Sequence, residues 1–179
     1  MILDRILEHK KAEIRHKNSR GYLADLKTRI RDAGPTLGFA VNLDARRTRT
    51  RPALIAEVKK ASPSLGLLRP EFEQRFEPVA IAEAYREHGA AAVSVLTDKE
   101  FFQGSLEYLS DVKRKVGLPA LNKEFMVADI QFYEARAYGA DAVLLIVAGL
   151  EKRQLIDFSA LAKELSLDVL VETHHEREL

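Results

Sequence analysis

The chain has 179 residues, of which 46% are hydrophobic and 31% are charged, so it carries enough apolar material for one buried core. Lys and Arg together number 28 and Asp and Glu number 27, a formal net charge of +1 that gives no reason to expect nucleic acid or an anionic membrane as the partner. The absence of cysteine excludes disulfides, thiolate metal sites and a cysteine nucleophile.

The N-terminal region is predicted to be helical. Apolar residues recur at helical spacing over 2–17 and again over 22–30, and Gly34-Pro35 ends the second helix. Residues 36–51 are predicted to be an irregular linker, whose arginine-rich end is more easily explained as solvated chain than as a phosphate-binding segment. Neither a signal peptide nor a membrane span is recognisable, so we expect a cytoplasmic protein.

From residue 52 onward, short apolar segments alternate with helical ones. Gly89 and Gly139 each stand at the end of a predicted helix, where a left-handed conformation turns the chain back toward the next strand. This order predicts βαβ units with parallel strands. The strands are predicted at 53–59, 91–96, 118–123, 142–147 and 167–172, and the helices between them at 78–88, 105–116, 129–138 and 151–165.

The predicted fold class is α/β, of the (β/α)8 TIM-barrel family, with an N-terminal helical extension and linker at 1–51 and a partial barrel of strands 1 to 5 at 52–179. Eight units close such a barrel, so we expect this chain to be incomplete. An open, doubly wound sheet is the alternative, and it fits less well because no glycine-rich phosphate loop follows the first strand.

Charged residues end three of the predicted strands. Glu57 and Lys59 end the first strand on one of its sides, Lys123 ends the third and Glu172 ends the fifth. Barrel active sites lie at these strand ends, although any one such charge is explained equally well by contact with water. Lysines crowded together have a lowered pKa that suits proton donation, and a nearby carboxylate can act as the base. Ser62, in a turn stiffened by the next residue, could hydrogen-bond a phosphate.

The segments that contain these residues resemble one enzyme family. Residues 55–66 read Ile-Ala-Glu-Val-Lys-Lys-Ala-Ser-Pro-Ser-Leu-Gly, which is similar to the first strand and following turn of indole-3-glycerol phosphate synthases. The resemblance covers essentially the whole chain and implies the ring-closing step of tryptophan biosynthesis. In that step 1-(2-carboxyphenylamino)-1-deoxyribulose 5-phosphate is decarboxylated and cyclised, with release of carbon dioxide and water. Further matching segments are 94–98, 101–105, 122–125, 139–147 and 170–172.

The resemblance also implies catalytic residues. Lys123 matches the general acid that protonates the ribulose carbonyl oxygen, and Glu172 matches the acid–base carboxylate of the later dehydration. Lys59 matches the lysine that contacts the substrate carboxylate and can also move protons, while Glu57 matches the carboxylate that orients these groups. The family uses no metal and no cofactor.

Four further residues are expected to bind the phosphorylated substrate. Ser62 matches a phosphate contact, and Phe101, Phe125 and Leu145 are expected to form apolar walls around the aromatic ring, although each of the three could equally be a core residue.

The chain also departs from the family pattern. Asn122 and Glu124 stand where the family has Arg and Asp, and the longer carboxylate side chain bears on how the lysine between them is oriented. Thr173 replaces the usual Val or Ile. The family's Asn-Asn-Arg motif and its later phosphate loops have no counterpart before residue 179, so we expect the 179-residue chain alone to have little activity.

Two other functions stay open at this point. A non-catalytic half-barrel that self-associates through its open strand edges is one, because unpaired backbone groups template association. A different phosphate-sugar barrel enzyme, such as a related isomerase of the same pathway, is the other. The four charged residues together argue against the isomerase.

Overall fold

A computed structural model describes residues 2–17 and 19–178, and Met1, Asn18 and Leu179 lie outside that description. The N-terminal 51 residues form three α-helices. Five more α-helices lie between the strands of the remaining described chain. The α-helices are α1 (Ile2–Lys17), α2 (Arg20–Asp32), α3 (Phe39–Arg46), α4 (Pro78–Glu87), α5 (Lys99–Phe102), α6 (Leu106–Val116), α7 (Ile130–Ala137) and α8 (Lys152–Glu164).

Five parallel strands form one sheet in which each strand pairs with the next in chain order, as the βαβ pattern predicted. A two-stranded antiparallel hairpin follows the first strand, where only a turn was expected. The strands are β1 (Ile55–Val58), β2 (Ala61–Ser62), β3 (Gly66–Leu67), β4 (Ala92–Leu96), β5 (Ala120–Lys123), β6 (Ala142–Ile146) and β7 (Asp168–Glu172), and the sheet order is β1-β4-β5-β6-β7. Sequential order excludes the doubly wound alternative and agrees with a partial TIM barrel.

Local signals in the sequence account for most element boundaries. Ser19 and Ser105 accept hydrogen bonds from the first backbone N–H groups of α2 and α6, as N-cap residues do. Gly89 and Gly139 have φ values of +89° and +90°, which confirms the predicted left-handed turns after α4 and α7.

The main core lies between the outer face of the sheet and the helices. Alternate residues of the strands, such as Val93, Val95 and Val143, point to this face and are fully buried. They pack against apolar residues of α4, α6, α7 and α8, and the rings of Phe132 and Phe158 meet there at 5.0 Å. The opposite, inner face of the sheet is left to the residues that line the candidate site.

The prediction of an irregular linker over 36–51 is wrong for residues 39–46, which form α3. This helix covers the N-terminal ends of the strands, where Phe39 packs against Ala92, Leu121 and Ala142. Two strand-end carboxylates hold this region: the backbone N–H of Leu37, just before the helix, donates to the buried Asp141 at 2.6 Å, and that of Ala40 donates to the half-buried Asp168 at 2.9 Å. Eight residues give too few turns for helical periodicity to be read from the sequence, so tertiary contacts decide the conformation here.

The two predicted segments, 1–51 and 52–179, are in contact, because α1, α2 and α3 pack against the later βα units. Their division into separate parts stays a prediction. None of the helices in the described part of the chain is both long and apolar enough to cross a membrane.

Candidate active site

The four charged residues predicted to be catalytic meet in one cavity at the C-terminal ends of the strands. Glu57 lies on β1, Lys59 directly follows it, Lys123 ends β5 and Glu172 ends β7. The cavity has a volume of about 240 Å³. Its lining consists of Glu57, Lys59, Leu96, Phe102, Lys123, Glu124, Phe125, Leu144, Ile146 and Glu172.

These side chains form two ion pairs. Lys59 Nζ lies 3.1 Å from Glu57 Oε1, and Lys123 Nζ lies 3.2 Å from Glu172 Oε2. All four side chains are about one third exposed, so each pair is open to a ligand and to solvent screening. Each cation therefore has a carboxylate within proton-transfer reach, which is the arrangement that acid–base chemistry requires.

The apolar walls differ in part from the prediction. Phe125 lines the cavity as expected, and its ring centroid lies 6.0 Å from that of Phe102. Phe101, the predicted neighbour, instead points toward α1, where its ring meets His9 edge-on at 5.5 Å.

The structure also corrects the position of Leu145. This side chain is fully buried in the helix-facing core, while Leu144 and Ile146 point into the cavity. The two faces alternate along β6, and the pairing of Ile146 with Glu172 puts the even-numbered residues on the inner face.

Ser62 lies in the hairpin that follows β1 and is not part of the cavity lining. Its hydroxyl accepts a hydrogen bond from the backbone N–H of Leu65 at 3.3 Å and lies 3.5 Å from the hydroxyl of Ser64. Neither contact involves a phosphate, and the phosphate contact of Ser62 stays a prediction.

Glu124, one of the residues that depart from the family pattern, contacts Lys10 on α1 at 3.3 Å. Burial raises its pKa to about 7; the charge of Lys10 opposes this rise, while that of Asp98 adds to it. The same carboxylate accepts a hydrogen bond from the backbone N–H of Phe125 at 2.8 Å. Glu124 thus forms part of the turn after β5 and does not pair with Lys123.

A second, larger cavity of about 570 Å³ lies between α1 and the loops that follow β4 and β5, with Glu124 in its wall as well. Ion pairs cross it. Lys17 Nζ lies 3.0 Å from Glu13 and 3.3 Å from Glu134, and the hydroxyl of Tyr22 donates to Glu134 at 2.6 Å.

Sequence reasoning missed several residues of the first cavity. Phe102, Leu144 and Ile146 line it, and His174 Nε2 lies 3.0 Å from Glu172 Oε1 at its edge. For His174 a signal was present, because it follows the last strand by two residues. Among the described residues no group of three or more His, Asp or Glu side chains is arranged to hold a metal ion.

Comparison with known proteins gives one family. The family model for indole-3-glycerol phosphate synthase matches residues 3–179. The chain is 46% identical over 178 residues to the indole-3-glycerol phosphate synthase of Neisseria meningitidis serogroup B. The matched residues make up 99% of this chain and 67% of that relative. The synthases of Laribacter hongkongensis and of a Polaromonas species are 46% and 48% identical over 178 residues, again 99% of this chain and 66% of each relative. The fold, the paired lysines and carboxylates at the strand ends and these matches agree: the chain belongs to the indole-3-glycerol phosphate synthase family.

Proposed function

We propose that Lys123, Glu172, Lys59 and Glu57 carry out the acid–base steps of indole-3-glycerol phosphate synthesis. Members of this family are decarboxylating lyases of tryptophan biosynthesis that act on a phosphorylated small molecule. The observation that carries the assignment is the meeting of two Lys–Glu pairs in one cavity at the carboxyl ends of β1, β5 and β7. Membership in a biosynthetic family also supports a cytoplasmic location and a small-molecule partner in place of nucleic acid.

Lys123 acts as the general acid of ring closure. The aromatic carbon that bears the carboxylate attacks the ribulose carbonyl carbon, a carbon–carbon bond forms, and the carbonyl electron pair moves to oxygen. Lys123 gives its proton to that oxygen as the charge develops, and Glu172, 3.2 Å away, stabilises the ammonium form before transfer. The bond to the carboxylate then breaks, carbon dioxide leaves, and its electron pair restores the aromatic ring.

Glu172 acts in the dehydration that follows. The hydroxyl formed in the first step leaves as water after receiving a proton, while the neighbouring carbon loses one, so a carboxylate that can both accept and donate protons serves this step. His174 Nε2 contacts Glu172 Oε1 and Lys123 Nζ contacts Glu172 Oε2, so the carboxylate is oriented by a neighbour at each oxygen.

Lys59 holds the substrate carboxylate until it departs. Its Nζ lies 3.1 Å from Glu57, and the hydroxyl of Ser94 lies 3.4 Å from the other oxygen of Glu57. Glu57 is thereby fixed on both sides and orients the lysine. Charge-assisted hydrogen bonds of this type contribute roughly 1.5–3 kcal/mol each.

The apolar part of the cavity receives the aromatic ring. Phe125 and Phe102 form one wall, and Leu144 and Ile146 form the other. Apolar walls exclude water from the developing charge, which strengthens the contribution of Lys123. Ser62 on the hairpin is the proposed phosphate contact.

A chimaera tests this assignment. The 179 residues replace the matching two thirds of the Neisseria meningitidis synthase, and turnover is followed by the ultraviolet absorbance of the indole product. We expect the chimaera to be active and Lys123→Ala to lower kcat by about 10²-fold or more. The exposed Lys115 on α6 provides the matched control, Lys115→Ala, which should leave kcat unchanged. Full turnover of the Lys123→Ala chimaera would refute the proposed acid.

Self-association through the strand edges is kept as a secondary proposal. It is supported by β7, at the edge of the described sheet, where Val171 is 53% exposed. Sedimentation velocity at two protein concentrations tests it, and a concentration-independent monomer would contradict it.

A further inference from the structure

A buried lysine on α1 lies between two carboxylates that belong to the rim of the candidate site. Lys10 is only 2% exposed, and its Nζ lies 2.8 Å from Asp98 Oδ2 and 3.3 Å from Glu124 Oε1. We refer to Lys10, Asp98 and Glu124 as the α1 charge cluster. Burying a lysine is strongly unfavourable unless charged partners compensate it, so these contacts have to be favourable for α1 to dock at all.

Each carboxylate of the cluster also holds a turn at the rim. Asp98 Oδ1 accepts the backbone N–H of Phe101 at 2.7 Å, which caps α5. Glu124 Oε1 accepts the backbone N–H of Phe125 at 2.8 Å, which fixes the turn after β5. The two turns carry Phe102 and Phe125, the aromatic wall of the smaller cavity.

The cluster also adjoins the proposed general acid. Glu124 follows Lys123 directly in the chain, and its side chain forms part of the wall between the two cavities. The position at which the Glu124 side chain is held therefore affects the backbone of Lys123 at the end of β5. It thereby affects how the Lys123 side chain enters the site.

We propose that Lys10 is a positioning residue for the ring-closure reaction: by holding Asp98 and Glu124 together it fixes the turns after β4 and β5, and through them Lys123 and the aromatic wall. The kinetic part of this proposal rests on the function proposed above, whereas the anchoring of the two turns does not.

Electrostatics agree with this geometry. Burial alone would lower the pKa of Lys10, but the charges of Glu124 and Asp98, the close ion pair with Asp98 and the hydrogen bond to Glu13 outweigh it and keep the pKa above its ordinary value. Without Lys10 two buried carboxyl groups would face each other with no cation between them. One would have to take up a proton or the turns would have to separate.

Amide hydrogen exchange tests the anchoring in the chain as it stands. The chain has eight phenylalanines, so [¹⁵N]Phe labelling gives one amide signal for each. In Lys10→Met we expect the amides of Phe101 and Phe125 to exchange about tenfold faster or more, relative to that of Phe132 in the core. Lys17→Met is the matched control on the same helix, because Lys17 pairs with Glu13 and Glu134 but touches neither turn. Lys10→Gln keeps a hydrogen-bond donor and serves if the methionine variant does not fold.

Kinetics in the chimaera test the positioning. Lys10→Met should lower kcat about tenfold or more with little change in KM, since the substrate carboxylate is still held elsewhere. Unchanged exchange at Phe125 overturns the proposal, and so does faster exchange with an unchanged kcat, or an equal effect of Lys17→Met. If Lys123→Ala retains full turnover while Lys10→Met still frees the two turns, the proposed catalytic role of Lys123 fails and the anchoring stands.

Discussion

Replacing Glu124 by Gln removes a carboxyl group that is only 12% exposed and leaves its shape and one acceptor oxygen in place. Lys10 and Asp98 are the charged groups that face it from α1 and from the loop after β4, and Lys123 precedes it in the chain. The variant therefore changes how the folded chain binds protons near neutrality with little change in packing.

The magnitude follows from the pKa of Glu124. The unfolded chain releases this proton near pH 4.5, whereas burial in the folded chain raises the pKa to about 7. Between these values the folded state binds more protons than the unfolded state, so the contribution of Glu124 to stability falls as pH rises and the loss is complete above about pH 7. At about 1.4 kcal/mol per pKa unit, the fall amounts to roughly 3 kcal/mol.

Urea unfolding followed by circular dichroism at pH 5, 6, 7 and 8 measures this. Since the series starts at pH 5, the free energy of unfolding of the natural chain should fall by roughly 2.5 kcal/mol relative to Glu124→Gln between pH 5 and pH 8. Lys10 stays charged over this range, and its attraction for the Glu124 carboxylate is already contained in the pKa of Glu124, so it adds no separate pH dependence. A constant difference between the two proteins would refute the raised pKa. A difference that moves the other way would mean that the carboxylate form is the one stabilised by folding.

Three further predictions concern single side chains. In the chimaera, Lys59→Ala should raise KM and lower kcat, because it removes a contact with the substrate that is made before the transition state. Lys123→Ala should lower kcat with a smaller effect on KM. If Lys123→Ala keeps near-normal kcat while Lys59→Ala loses all turnover, the two proposed roles are exchanged. Asp141→Ala should lower the free energy of unfolding, measured in urea, by about 2–5 kcal/mol. The buried Asp141 carboxylate accepts hydrogen bonds from the backbone N–H groups of Leu37 and Ala120 and pairs with Lys113. A loss no larger than that caused by Asp157→Ala, at an exposed position, would contradict this prediction. Gly104→Ala should lower Tm, because an added Cβ would lie 2.3 Å from the carbonyl oxygen of Leu96, while Gly21→Ala on α2, where the added Cβ meets nothing, should leave Tm unchanged or raise it.

Much of the fold could be predicted because its signals are local. Short apolar runs, capping serines and glycines at helix ends define the strands and helices, and parallel strands bring their carboxyl ends to one edge. The convergence of Glu57, Lys59, Lys123 and Glu172 follows from that rule and from the resemblance to the family.

The features that could not be predicted depend on contacts between distant parts of the chain. Residues 142–147 are apolar at every position, so alternation cannot distinguish Leu144 from Leu145, and only the pairing of β6 with β7 does so. Glu124 reads as a polar residue beside the general acid, and its cation, Lys10, lies on a helix whose charged positions all look solvent-facing in the sequence.

The placement of α3 beneath the strands bears on the order in which the chain folds. Leu37 is bound by Asp141, 104 residues later, and Ala40 by Asp168, 128 residues later, while Tyr22 binds Glu134 across 112 residues. On a ribosome these partners emerge long after α1, α2 and α3 have left the exit tunnel. Leu26 packs on α7 of the third unit and Phe39 on strands up to β6 of the fourth, so these two residues, almost fully buried in the finished fold, stay exposed until those units are synthesised. The segment that is made first can complete its contacts only late in synthesis, and until then its apolar side chains are accessible to chaperones.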